Sequence, residues 1–91
     1  MPCGYDFIFR KGRKALHVEV KGTATSTPRF FLTRNEHGKG FVSNPDWRLA
    51  MVTDALSGKP NLVIYSSKEL ARAFDLEPYV YLGKYIPTPE S

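Results

Sequence analysis

YDFIFRKGRKALHVEVK, residues Tyr5–Lys21, is the stretch on which the architecture turns. Residues 5–10 alternate aromatic with other side chains, and residues 15–21 alternate large aliphatics with small or polar ones; both carry the period of an extended strand. Lys11-Gly12-Arg13-Lys14 between them reads as a turn in which Gly12 can take positive φ. A hairpin closed on Gly12 and Arg13 sets Lys11 against Lys14, Arg10 against Ala15, Ile8 against His17 and Asp6 against Glu19.

Successive strand side chains point to opposite faces, so Leu16, Val18 and Val20 share one and His17, Glu19 and Lys21 the other. The core is expected to take the aliphatic face. Glu19 and Lys21 then project together, roughly 7 Å apart along the strand. Asp6 lies across the ladder from Glu19, roughly 5 Å away, where two carboxylates repel. A divalent cation turns that repulsion into a site, because hard ions such as magnesium are held by one or two carboxylates with water and phosphate oxygens. Beside such an ion, Lys21 could orient or deprotonate an attacking water, or offset charge building on phosphate. The ordinary alternative is a solvated outer face, since a Glu-x-Lys pair often arises by chance. His17 shares the face, but a lone histidine two residues from a site is more often a neutral neighbour than a ligand, and it is read that way.

Beyond the hairpin, residues 47–56 (WRLAMVTDAL) and 61–65 (NLVIY) flank the turn signal Ser57-Gly58-Lys59-Pro60 as a second extended pair. Residues 28–32 (PRFFL) give a further strand, begun by a proline. Thr33-Arg34-Asn35-Glu36 and Ser66-Ser67-Lys68-Glu69 are capping-box signatures. The second leads into Leu70, Ala71, Ala73 and Phe74 at helical spacing. The first is weakened by Gly38 and Gly40, each costing a helix interior about 1 kcal/mol relative to alanine. The expected fold is α/β: a mixed sheet, rich in hairpins, with one or two short helices. A single domain over residues 1–86 is expected, with a fraying tail at 87–91.

The chain has 91 residues, 42% apolar and 24% charged, which suits one small globular domain and argues against disorder. A net charge of +4 favours a polyanionic partner without naming one. Cys3 is the single cysteine, so neither an intrachain disulfide nor a cysteine-based zinc site is available, and a reducing cytosol is the expected home. No apolar run approaches a bilayer span and the N-terminal residues lack a signal peptide's charged and apolar regions, so no membrane partner is expected.

Several segments together carry a resemblance. Gly4-Tyr5-Asp6-Phe7, Val18-Glu19-Val20-Lys21-Gly22-Thr23, Phe31-Leu32-Thr33-Arg34-Asn35-Glu36, Trp47-Arg48-Leu49 and Val52-Thr53-Asp54-Ala55-Leu56 resemble the C-terminal domain shared by the plant NO VEIN protein and many bacterial helicase- and restriction-associated proteins. That domain is itself similar to the restriction-endonuclease-like PD-(D/E)xK nucleases, and the resemblance runs from Gly4 to about Tyr85. It implies an incomplete restriction-endonuclease-like core and a metal-dependent DNA phosphodiesterase, or a remnant of one, tied to a restriction or helicase system. It implies Asp6 and Glu19 as metal carboxylates, the carbonyl of Val20 as an extra ligand, Lys21 as the catalytic lysine, and Mg2+ or Mn2+ as cofactor. Thr33, Asn35 and Glu36 match a recurrent motif, read physically as a helix cap. The helix and edge strand that usually precede the Gly-Tyr-Asp segment are lacking. One side of the sheet is thereby left open, so a homodimer or a missing N-terminal segment is expected to complete it. The alternative function is a non-catalytic accessory domain that binds nucleic acid or protein and dimerises through an open sheet edge.

Lys11 and Arg13 in the turn, and Arg34 and Lys39 after the third strand, are candidate phosphate contacts on DNA. Trp47, Tyr79, Tyr81 and Tyr85 could stack on bases, but packing against the sheet is the better reading. Pro45-Asp46 imitates half of the nuclease signature but precedes the wrong strand and is read as loop.

Overall fold

A computed structural model describes residues 3–77 and 81–88. The hairpin forms as its turn chemistry requires: β1 (Cys3–Lys11) pairs antiparallel with β2 (Lys14–Gly22), Asp6 opposite Glu19 and Lys11 opposite Lys14. Gly12 takes a φ of +60° in the turn. β2 then pairs parallel with β4 (Trp47–Thr53), and β4 antiparallel with β5 (Asn61–Ser66), giving a four-stranded sheet in the order β1-β2-β4-β5. Parallel neighbours need a crossover. Residues 23–46 supply it, and they contain β3 (Arg29–Leu32) and a π-helix over Glu36–Val42.

β3 does not join the main sheet. With β7 (Tyr81–Tyr85) and β6 (Phe74–Leu76) it makes a separate three-stranded sheet in the order β3-β7-β6. Between β5 and β6 lies α1 (Ser67–Ala73), started by a complete capping box in which the Ser66 hydroxyl accepts the Glu69 N–H and the Glu69 carboxylate accepts the Ser66 N–H. The fold is thus α/β with a mixed main sheet, as the sequence predicts.

Four expectations are corrected. The Trp47 strand stops at Thr53, not Leu56, because Asp54 turns the chain with a φ of +51° and Ser57 closes a turn onto the Asp54 carbonyl. The crossover helix exists in spite of its glycines. The helical turn begins already at Arg34, and Thr33 caps it: Glu36 N–H donates to the Thr33 hydroxyl at 3.0 Å and Thr33 N–H to Glu36 Oε1 at 2.9 Å. Gly40 is there for space: a Cβ at that position would lie 2.5 Å from Trp47 Nε1. The second sheet, with β6 and β7, was not foreseen; Phe74, assigned above to the helix, begins β6.

The largest correction concerns the core. Trp47, Leu49 and Met51 of β4, Phe30 and Leu32 of β3, Leu70 of α1 and Phe74 of β6 form it, none more than 2% exposed. Phe30 and Phe74 meet edge to face at 4.9 Å. β2 is in register with β4 so that His17, Glu19 and Lys21 neighbour Trp47, Leu49 and Met51. The polar face of β2 therefore lies on the covered side. Leu16, Val18 and Val20 turn the other way and, with Phe7, Phe9, Leu62 and Ile64, line an open apolar concavity of about 470 Å³. Burying several large aromatics decides the matter, since these remove the most surface from water.

Trp47 packs edge-on against Phe41 rather than facing solvent. Tyr85 is half-exposed, its ring edge toward Phe74. Tyr79, the side chains of Cys3 and Tyr81, and the tail residues 89–91 lie outside what is described. Pro45 and Asp46 sit in a turn before β4, as read. Among the described residues no helix is long and apolar enough to cross a membrane.

Candidate metal centre

Three potential ligands converge at the β1–β2 ladder. His17 Nε2 lies 3.1 Å from Asp6 Oδ2 and 3.2 Å from Glu19 Oε1, and one ligand atom from each residue falls within 4.8 Å of the others. The register brings this about: Asp6 is opposite Glu19, and His17 is two residues away on the same face of β2. Asp6 stands at the rim, its side chain 61% exposed, while Glu19 forms the floor at 5%. The His17 N–H donates to the Asp46 carbonyl at 2.9 Å, tying this part of β2 to the residue before β4.

The third acid comes from the crossover. Glu36, first residue of the π-helix, accepts Lys21 Nζ at 3.2 Å on each carboxylate oxygen as well as the Thr33 N–H. Burial pushes the Glu19 carboxyl up to about 7; the charge of Glu36, a hydrogen bond to it and the charge of Asp6 add to the rise, and Lys21 opposes it. For Glu36, burial also works upward, but the Thr33 N–H and the Lys21 ammonium outweigh it and hold the carboxyl below its ordinary value. Of the two carboxyls, Glu19 is therefore the one that holds a proton more readily.

Asp6, Glu19 and Glu36 face one lysine and one imidazole. This surplus of carboxylate around a buried floor suits a divalent cation, which would be held by Asp6 and Glu19 with His17 in reach. The elements nearby are fixed: Lys21 by Glu36, Glu36 by its cap, β2 by ladders on both sides.

The other site residues scatter. The Val20 side chain points into the apolar concavity on the opposite face, leaving its backbone between Glu19 and Lys21. Lys11 and Arg13 are exposed at the hairpin tip, roughly 17 Å along β1 from Asp6 at strand spacing. Arg34 and Lys39 are exposed together on the crossover, where with Asn35 and Gly38 they border a shallow depression beside Glu36. From the sequence, Glu36 reads only as a cap and His17 as a bystander. Nothing local marks Glu36 as a partner of Lys21, because the contact depends on how the crossover lies over β2.

Fold and cluster together define a small mixed-sheet domain with an acidic, lysine-bearing hairpin beside its core. The family described as Protein NO VEIN, C-terminal, matches residues 2–65, and the chain belongs to that family. The match takes in Asp6, His17, Glu19, Lys21 and Glu36 and stops short of α1, β6 and β7, a narrower span than the resemblance read from the sequence. No curated protein and no solved structure matches the chain.

Proposed function

We propose that this domain is a metal-dependent DNA phosphodiesterase of the PD-(D/E)xK kind, or a remnant of one, serving a restriction or helicase system. The observation that carries the reading is the meeting of Asp6 and Glu19 across one ladder with Lys21 two residues on, on the same face. Mg2+ or Mn2+ bound by Asp6 and Glu19, with the Val20 carbonyl nearby, would supply Lewis-acid polarisation of the phosphate and a more acidic water. Lys21 keeps its ammonium pointed at the site through Glu36, where it can hold a phosphate oxygen or orient a water. Arg34 and Lys39 on the crossover, and Lys11 and Arg13 at the hairpin tip, would hold the DNA backbone away from the cluster itself.

The test is cleavage of supercoiled and single-stranded DNA with Mg2+ or Mn2+. Wild type should nick, and Lys21→Ala and Asp6→Ala should each lose at least about 100-fold, the scale of one electrostatic or proton-transfer contribution. Equal cleavage in all three proteins overturns the reading, and none in wild type overturns an active phosphodiesterase.

A second reading, a non-catalytic accessory domain that dimerises, is favoured by the sheet edges. β1 exposes Phe7, Ile8 and Phe9 in succession at one edge, and β5 exposes Leu62, Val63 and Ile64 at the other. Such edges invite strand pairing with a second copy of the chain. Under this reading wild type sediments as a dimer and Asp6→Ala leaves DNA affinity unchanged.

A further inference from the structure

The geometry points to His17 as a third metal ligand, which makes the centre a mixed nitrogen and oxygen site for a borderline first-row transition ion in preference to magnesium. The inference rests on the reading of Asp6 and Glu19 as metal carboxylates and goes beyond it by fixing the class of ion.

Ligand spacing comes first. Two ligand atoms each about 2.1 Å from one ion stand about 3.0 Å apart at a right angle and about 3.4 Å apart at the tetrahedral angle. His17 Nε2 is 3.1 Å from one carboxylate oxygen and 3.2 Å from the other, inside that window on both sides. A hydrogen bond from the imidazole accounts for only one of the two approaches, because the single proton on Nε2 can point along one of the two directions. An ion placed among the three serves all of them once Asp6 turns inward, since the ligand atoms lie up to 4.8 Å apart and two bonds of about 2.1 Å span at most about 4.2 Å.

Burial is the second observation. The Glu19 side chain is 5% exposed and directed at His17, so its position is set by the sheet, while Asp6 at the rim can rotate to close the set. The three ligands come from two adjacent strands on one face, which leaves the solvent side of the ion for water and phosphate.

The chemistry of the donors then selects the ion. Mg2+ prefers oxygen and gives up its water reluctantly, whereas imidazole suits Zn2+, Ni2+ and Co2+; at a site of this kind affinity rises from Mn2+ through Co2+ to Ni2+. His17 therefore adds little for magnesium and much for cobalt or zinc.

The test reads metal binding without DNA. Chelator-stripped full chain is titrated with Co2+, followed by its visible absorption, and with Mg2+, followed by calorimetry, for wild type, His17→Ala, His17→Asn, Asp6→Asn and Glu19→Gln; thermal melts check that each variant folds. Wild type should bind Co2+ at least about 100-fold more tightly than Mg2+, and each His17 variant should weaken Co2+ at least about 10-fold while changing Mg2+ less than about threefold. If both His17 variants keep wild-type Co2+ affinity while Asp6→Asn and Glu19→Gln lose both ions, this inference is overturned and the two-carboxylate site stands. If Asp6→Asn and Glu19→Gln bind both ions as wild type does, the site itself is overturned and this inference with it.

Discussion

The two faces of the main sheet use the same strands to opposite ends. On the inner face, β4 presents Trp47, Leu49 and Met51 to a closed core, while β2 beside it presents His17, Glu19 and Lys21. On the outer face the same two strands, with β1 and β5, offer an almost wholly apolar surface that is left open, with Phe9 53% and Ile64 55% exposed. A strand's own pattern thus does not say which side becomes the core. The side chosen is the one over which the rest of the chain can be laid, and here the second sheet and both helices go to the side of Trp47. One consequence is chemical. Glu19 lies next to Leu49 in the ladder, so its carboxylate is held in a poorly solvated place where its charge is costly and an ion beside it is favoured.

The sharpest way to break this contrast is to remove inner-face bulk. Trp47→Ala or Leu49→Ala should cost about 3–5 kcal/mol, which in a domain of this size removes most or all of its stability. Urea denaturation measures it, and a loss below about 1 kcal/mol would mean the core lies elsewhere. Next comes the charged half of the same face. The Glu19 carboxyl sits near 7 when folded against an ordinary 4.5, so the folded state holds an extra proton between those values. Stability contributed by the neutral form is complete below about 4.5 and is lost as pH rises through 7. Chelator-treated protein should therefore lose about 2–3 kcal/mol between pH 5 and pH 8. Glu19→Gln, which cannot ionise, should flatten that slope, and an added ion at about 100 times its Kd should restore about 2.7 kcal/mol to wild type at pH 8 alone. A wild-type profile as flat as the variant's would remove the buried-charge account.

Much of this could be read in advance, for reasons that differ by residue. The hairpin was legible because Gly12 and the flanking alternation are local, and register follows from turn length; Asp6 opposite Glu19 is its direct outcome. α1 was legible from Ser66 and Glu69, which make a local cap. The crossover helix was doubted because Gly40 argues against helix on propensity, whereas its value is tertiary: it lets the Trp47 indole approach. The facing of β2 was misread because Leu16, Val18 and Val20 outweigh His17, Glu19 and Lys21 in hydrophobicity, and the covering layer comes from β3, α1 and β6, distant in sequence. Glu36 was seen as a cap and is one, but its second bond, to Lys21, is a long-range contact that no local signature encodes.

Glu36 gives the third and smaller test. Glutamine keeps an oxygen for the Thr33 N–H, so Glu36→Gln preserves the capping box and removes the charge paired with Lys21. The expected loss is about 1 kcal/mol, as for a partly buried ion pair, read by thermal melting at neutral pH. DNA cleavage should fall while the melt stays cooperative, since Lys21 loses its fixed direction. Unchanged cleavage would mean that Lys21 needs no such support.

The smallest expected effect belongs to the outer face, and it makes the contrast quantitative. Phe9 is as apolar as Phe30, but Phe30 is fully buried and Phe9 is half in water within one chain. For an isolated chain, Phe9→Ser should cost no more than about 1 kcal/mol, because only about half of the side chain leaves water at that position on folding. If a second copy covers the face, wild-type melting must rise with protein concentration, and Phe9→Ser must abolish that rise together with the dimer peak in sedimentation. The substitution thus separates an apolar face that is merely tolerated from one that is normally covered: a melt independent of concentration in both proteins supports the first, and a concentration dependence present in wild type and lost in the variant supports the second.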